Sequence, residues 1–454
     1  MEATLFSLAQ IKSSAELIFE RSPLGQIHAQ IPFEQLADSF RDFKSPRHQG
    51  GRRPHLSIAG GLGLMFLKHH LKLSDRMLIE RLNTDCFLQL FCFTQIPLHK
   101  PIRDKDLVGR WRRFFGLHMD MAQLQDKLAQ HWKPNMENTH VLMDDATCYE
   151  SHIKYPTDVK LLLDCCKWLD KQTIQACRFY SMALPRRDKY RKAIDRVVTY
   201  QKLKRKPKNK GKRLRRSLLY WLAQWQEQLQ VLLNLGAQYH QQLNQKVYDR
   251  IKVIRIIYQQ QSYMLAHNVR KVAHRIVSLF KPYIRPIIRG KERKKYEFGA
   301  KAHISQVDGL NFIEHLSFEA FHEGIRMWYS IAKHKKRFGK CTHYAADRIY
   351  ATNANRKKAK KLHIQTCFVR KGPKAKDEKQ RQKVRSILAK ERATRLEGSF
   401  GTEKQHYGAD RIKARTQETE IAWIFFAIHT ANAVRLARSM AKRNKQTPHP
   451  ARAA

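Results

Sequence analysis

The sequence predicts a mixed α/β chain: a helical first part, then strand-forming segments on either side of a long helical stretch. Three observations carry this. His140-Val-Leu-Met-Asp-Asp145 is a short apolar run ending in acids, the texture of a buried strand. From about Leu161 to Phe280 the pattern is helical, and no proline occurs between Pro207 and Pro282. From Tyr296 strand texture returns, with alternation over Phe298–Val307.

Taken in order, residues 1 to about 50 read as a short helical start followed by a polar, basic loop, Ser45–Pro54. Leu56 to Phe93 has helical apolar spacing, and Ser74-Asp75 offers a polar N-cap ahead of an apolar repeat. Gly60-Gly61-Leu62-Gly63 has neither a Walker lysine nor a clear strand ahead of it, so it reads as a helix-packing motif, not a phosphate loop. Ile102–Leu117 is a basic helix carrying Arg110, Arg112 and Arg113. After the strand ending at Asp145, Tyr149–Ile153 alternates like a second strand, and Tyr155-Pro-Thr-Asp158 turns the chain, with Asp158 able to cap the next helix. In the helical stretch Leu218, Leu219, Leu222, Trp225 and Leu229 keep helical spacing. Trp221, Trp225 and Trp328 read as core. Beyond Val307 the expectations are a helix over Phe318–Phe338, a strand over Thr342–Asp347, a basic helix over Asn355–Leu362 and a strand over Ile364–Val369. A long basic helix over Lys374–Gly398 carries Glu397 near its end, an apolar helix comes next over Glu418–Met440, and the tail from Ala441 is expected to be disordered.

Charge narrows the function. The 454 residues carry 88 Lys+Arg against 39 Asp+Glu, a formal net charge of +49, while 42% apolar residues suffice for packed cores. A field this positive binds polyanions, and nucleic acid is the first partner it suggests. Lys202–Arg216 has ten basic residues in fifteen and no acid, so Lys206, Lys208, Lys210, Arg213 and Arg215 are candidate phosphate contacts, as are Arg110, Arg112 and Arg113 of the earlier basic helix. The longest apolar stretches, such as Ile421–Val434, are about 14 residues, short of the ~20 a bilayer needs. With no signal peptide visible, the expectation is a soluble intracellular protein. None of the eight cysteines forms a C-x-x-C pair, and they read as reduced thiols used as small apolar residues.

In so basic a chain, acids at strand ends stand out. Open α/β sheets place ligands at strand carboxyl ends, and Asp145 and Asp347 both end expected strands. Close carboxylates need a proton or a cation between them. Mg²⁺ is a hard ion that takes oxygen ligands, and two such ions can serve phosphoryl transfer.

Several blocks then resemble one family. Asp145-Ala-Thr147 with Ile153-Lys-Tyr-Pro-Thr-Asp158 resembles the first-aspartate block of DDE transposases of bacterial insertion sequences, in the insertion-sequence-five-like group. Gln306-Val-Asp-Gly309 with Glu314-His315 is similar to the strand and turn after their interrupting segment. Ala346-Asp347-Arg-Ile-Tyr350 resembles the second-aspartate block. Arg395-Leu-Glu397-Gly-Ser-Phe-Gly401, with Lys404, Tyr407 and Gly408, resembles the glutamate block, and Leu73–Leu82 is similar to the helical N-terminal domain of that group.

The resemblance implies a ribonuclease-H-like catalytic core interrupted by a mainly helical insertion, behind a helical N-terminal domain. The implied boundaries are 1–135 for an N-terminal DNA-binding domain, 136–164 and 296–440 for the two parts of the core, 165–295 for the basic insertion and 441–454 for the tail. Asp145, Asp347 and Glu397 would be the catalytic, metal-holding residues, with two Mg²⁺ and Mn²⁺ as a substitute. Asp144 neighbours Asp145, but side chains alternate along a strand and only one should face the site. Lys404 lies seven residues after Glu397, two helical turns on, as in related transposases, and is expected to contact DNA phosphate. Those relatives carry an arginine four before the glutamate. Here that position is Ala393, with Arg392 and Arg395 nearby, so which arginine clamps phosphate stays open. Asp308 reads as a turn residue, and His303, His315, His343 and His406 as structural or DNA-facing.

The expected function is a DNA transposase that binds terminal inverted repeats, frees a 3′-OH and joins it to target DNA. It would work as a homodimer or larger synaptic complex, in the bacterial cytoplasm at the nucleoid, with no membrane. A non-catalytic DNA-binding relative, or a nuclease of the same fold that never joins ends, are the alternatives.

Overall fold

The computed structural model describes residues 8–46, 55–236, 239, 241, 243–288, 296–369, 371–373 and 377–446. Ser45–Pro54 beyond residue 46, and Lys374, lie outside the described residues. The chain is mixed α/β and divides into two compact units: residues 1–152, 300–317 and 321–454 form one, and residues 153–299 with 318–320 form the other.

Among the described residues the first unit begins with eight helices: α1 (Leu8–Arg21), α2 (Pro23–His28), α3 (Phe33–Asp38), α4 (Ile58–Leu71), α5 (Asp75–Thr84), α6 (Cys86–Phe91), α7 (Leu107–His118) and α8 (Met121–Trp132). Ser57, Ser74, Asp85 and Asp120 cap α4, α5, α6 and α8 by accepting a first-turn backbone N–H. The glycines of α4 serve packing. A side chain at Gly61 would meet the Trp111 ring at 2.4 Å, and one at Gly63 the Phe91 carbonyl at 2.6 Å. Asp75 joins α4, α5 and α7: Lys68 Nζ lies 2.6 Å from its carboxylate, and one Arg112 nitrogen reaches both oxygens at 2.9 and 3.0 Å.

The sheet of this unit runs β4 (Leu310–Ser317), β3 (Tyr296–Val307), β1 (Val141–Glu150), β5 (His343–Ala346), β6 (Gln365–Thr366). β3 and β4 are antiparallel, whereas β5 runs parallel to both β1 and β6. The β3–β4 turn is Asp308-Gly309, both at positive φ (49° and 82°), the Asp-Gly signature of a tight hairpin. Periodicity did not reveal β4, because Leu310-Asn-Phe-Ile is buried without alternation. β1 is one ten-residue strand and not two, so Asp145 lies inside it and not at its end.

Helices α13 (Met327–Phe338) and α14 (Asn353–Lys361) come after β4 and β5 respectively. The helix expected from Phe318 starts only at Met327; ahead of it Gly324 packs against the Ile349 carbonyl and its own carbonyl accepts from Asn355. The last helices of the unit are α15 (Glu378–Glu391), α16 (Glu397–His406) and α17 (Gln417–Gln446). α17 buries Ile424, Phe425, Phe426, Ile428 and His429, and touches α4, α7 and β4. Helices from the first part and the sheet therefore share one core. α17 also runs through residues 441–446, which were expected to be disordered.

The second unit is built on α9 (Asp158–Phe179), α10 (Asp188–Lys202), α11 (Lys208–Asn234) and α12 (Gln245–Ala266). Leu162, Cys166, Leu169, Leu218, Leu222, Trp225, Ile254 and Ile257 fill its core. Thr157, not Asp158, caps α9. Asp158 instead takes Arg275 at 2.6 Å and Arg215 at 3.5 Å. A short strand, β2 (Pro286–Ile288), pairs with Tyr296–Phe298. No described helix is long and apolar enough to cross a membrane.

Candidate active site

Asp145 and Asp347 come from neighbouring parallel strands. Asp144 pairs in register with Ala346, so the residues one further along each strand, Asp145 and Asp347, lie level. Adjacent strands are about 4.8 Å apart. Asp347 comes directly after the last residue of β5, is exposed, and accepts the Arg348 N–H at 2.6 Å.

Alternation separates the two neighbouring aspartates. Asp144 is fully buried, accepts the Tyr344 hydroxyl at 2.9 Å and lies 3.7 Å from His303 Nε2. Burial raises its pKa well above the usual carboxylate range. Asp145, Thr147 and Tyr149 share one side of β1, and each meets the segment Arg392–Lys404. Arg392 Nη1 donates to Asp145 at 2.6 Å, Lys404 Nζ donates to Thr147 Oγ1 at 2.8 Å, and the Tyr149 hydroxyl donates to Glu403 at 2.5 Å.

The same Arg392 nitrogen lies 3.3 Å from Glu397. Between α15 and α16 the backbone makes a π turn over Arg392–Leu396. A π turn closes i to i+5 and takes up one extra residue. Position 392, five before Glu397, thereby stands one turn upstream on the same side. Arg395 pairs instead with Glu391, at 2.5 Å. Spacing alone left the two arginines open, and the π turn decides between them for contact with the acids.

Burial raises the Asp145 carboxyl to about 6. Arg392 and the Ala146 N–H oppose this, while Glu323 and Asp347 add to it by repulsion. Glu323 is therefore a further carboxylate close to Asp145, and it pairs with Lys301 at 2.5 Å. No sequence pattern singled it out; its only signal was scarcity of acids.

Glu403 was also missed, although it precedes Lys404 in the block. It is buried and accepts from Tyr149 and, at 2.5 Å, from Asn311 Nδ2. Burial raises its pKa to about 7. A carboxyl raised in the folded state stabilises the fold fully below its unfolded value, about 4.5, and loses that contribution as pH rises through about 7. Relative to Glu403→Gln, wild-type unfolding free energy should fall by up to about 3 kcal/mol across that window and stay level above it. Denaturant melts of both proteins from about pH 4.5 to 8 measure this; parallel curves would show that Glu403 does not titrate there.

The candidate DNA contacts differ in placement. Arg112 is buried, paired with Asp75 and stacked 4.7 Å from the Trp423 ring, so it serves the fold. Arg110 donates to Asp104 at 3.2 Å, while Arg113 is exposed. In the second unit Lys206, Lys208, Lys210 and Arg213 are exposed, and Arg215 is half-buried beside Asp158. Lys404 is half-buried over the Tyr149 ring.

Among the described residues no three His, Cys, Asp or Glu side chains converge as a metal site. Asp145, Asp347 and Glu397 are nevertheless hard oxygen donors of the kind Mg²⁺ takes. Asp145 lies under the repulsion of two other carboxylates, and Arg392 already bridges two of the three acids as a cation. In donor chemistry the residues fit a divalent ion.

Two family models match the chain. "Transposase domain (DUF772)" covers residues 12–120, and "Transposase DDE domain" covers residues 344–432, which include Asp347, Glu397 and Lys404. An uncharacterized protein of the nfe locus of Rhizobium meliloti, ORF8, is 25% identical over 150 residues, which are 32% of this chain and 70% of that protein. No solved structure matches. The two transposase-domain matches, one in each of the stretches that flank the second unit, support a DDE transposase of the insertion-sequence type.

Proposed function

We propose that Asp145, Asp347 and Glu397 are the catalytic acids of a ribonuclease-H-like core, and that the protein frees the 3′-OH at its element's ends and joins it to target DNA. The observation that carries this is the meeting of Asp145, level with Asp347, with the Arg392–Glu397 turn. DDE transposases use divalent metal ions. Asp145, Asp347 and Glu397 would hold two, Mg²⁺ or Mn²⁺, which supply Lewis acidity at the scissile phosphate.

The chain's own residues have separate tasks. Asp145 and Asp347 present their carboxylates from a rigid sheet, while Glu397 comes from a helix end. Arg392 neutralises Asp145 and Glu397 and is placed to turn to a phosphate oxygen, a planar donor suited to that geometry. Lys404 ties α16 to β1 through Thr147 and adds positive charge beside the acids. Exposed Arg113, and Lys206, Lys208, Lys210 and Arg213 of the basic insertion (165–295), contact DNA backbone, and the N-terminal helices (1–135) recognise the terminal repeats. Pairing two ends calls for a dimer or larger synaptic complex. The setting is the bacterial cytoplasm, at the nucleoid.

The test is incubation with labelled DNA carrying the repeats that flank the gene, in Mg²⁺. Cleaved 3′-OH ends and joined products are expected. Binding without cleavage would favour a non-catalytic DNA-binding protein, and cleavage without joining a nuclease.

A further inference from the structure

Helix α16 has a second side, turned away from β1. There Gly398, Ser399 and Thr402 line a cavity of about 590 Å³, closed by α17 and the β3–β4 turn. Four cations open onto it: Arg395 from the π turn, and Arg435, Arg438 and Lys442 from α17. Among the described residues its one acid is Glu403, which is buried and already accepts from Tyr149 and Asn311. A smaller cavity of about 240 Å³ shares Arg395, Arg435 and Ser439 with the first; Glu137 and Asp308 also line it, and Glu137 is paired with Arg443 at 2.7 Å.

The placement of Arg435 is built in. Its guanidinium lies over Gly309, where any Cβ would fall 2.4 Å from it, and Gly309 also needs its positive φ of 82° for the turn. Arg435, Arg438 and Lys442 are at i, i+3 and i+7, on one side of α17, and span about 10 Å of helix. One DNA strand advances about 3.4 Å of duplex axis per phosphate, so the row spans about three phosphate steps along the axis. Like charges gathered in a concave site raise a field that an anionic chain relieves.

We infer that this cleft, between α16 and α17, is a second binding site for a DNA phosphodiester backbone, separate from the acids on the opposite side of α16. The inference rests on the transposase reading above. A strand held there would be positioned by Arg395, Arg435, Arg438 and Lys442.

The test is equilibrium binding of the full chain to a generic DNA duplex across a salt series. Each lost phosphate contact lowers the slope of log K against log salt by about 0.9. The double variant Arg438→Gln, Lys442→Gln should lower it by about 1.8, by the same amount on any sequence. The swap Arg438→Lys, Lys442→Arg should keep the wild-type slope, which guards against loss of fold. Thr402→Glu, which adds an anion inside the cleft, should weaken binding at least tenfold at low salt. An unchanged slope in the Gln variant, with wild type still binding DNA, would overturn the cleft and leave the transposase reading standing. Failure of wild type to bind any DNA would sink both.

Discussion

Arg392→Ala should lower the single-turnover cleavage rate on saturating DNA by about 10²–10³-fold, the usual cost of removing one placed charge donor from an active site. The guanidinium touches both Asp145 and Glu397, at 2.6 and 3.3 Å. Without it the two carboxylates lose their internal cation, and a phosphate oxygen loses a planar partner. Arg392→Lys should recover only part of the rate, because an ammonium cannot bridge with the same fork. Arg395→Ala should instead weaken DNA affinity and leave the rate on bound DNA nearly intact, since Arg395 pairs with Glu391 and opens onto the other side of the helix. A quench-flow comparison of the three variants measures this. Equal losses in Arg392→Ala and Arg395→Ala would show that the π turn does not select the arginine.

The largest stability effect should come from Asp75→Asn. This change keeps the side chain's shape and removes its charge. Lys68 and Arg112 are only 7% and 10% exposed, and both depend on Asp75. Burial lowers the Lys68 pKa, and Asp75 works against that shift. Losing the anion leaves two enclosed cations without a counter-charge, at a cost of about 3–5 kcal/mol. The melting temperature should fall by roughly 10 °C. Adding Lys68→Met should restore part of the loss, because neighbours in one network do not act additively. Calorimetric unfolding within about 1 kcal/mol of wild type would show that the cluster contributes little.

Much of the site was legible because its blocks are local. Asp145-Ala-Thr147 and Glu397 with Lys404 each put their residues on one side of a single element. The helical stretch between the strands was also readable, since Leu218, Leu222 and Trp225 keep helical spacing and are buried in the second unit. What stayed hidden depended on tertiary context. The π turn looks like ordinary helix in sequence, so the arginine could not be chosen. Arg112 sits in a basic run that suggests DNA, but its partner Asp75 is 37 positions away. Glu403 and Glu323 carry no pattern of their own; the first is set by Tyr149 and Asn311, the second by Lys301. β4 is apolar through most of its first four residues because it is covered on both sides, which erases the alternation that marks a half-buried strand.

Under the proposed function, three acids from two strands and one helix perform phosphoryl transfer on DNA. The most direct test compares wild type with Asp145→Asn, Asp347→Asn and Glu397→Gln in one cleavage and joining assay, using DNA with the flanking repeats and Mg²⁺. Each variant should bind DNA like wild type, and each should cut and join at least about 10³-fold more slowly. Any one of them cutting and joining at the wild-type rate would contradict the assignment of that acid and, with it, the triad.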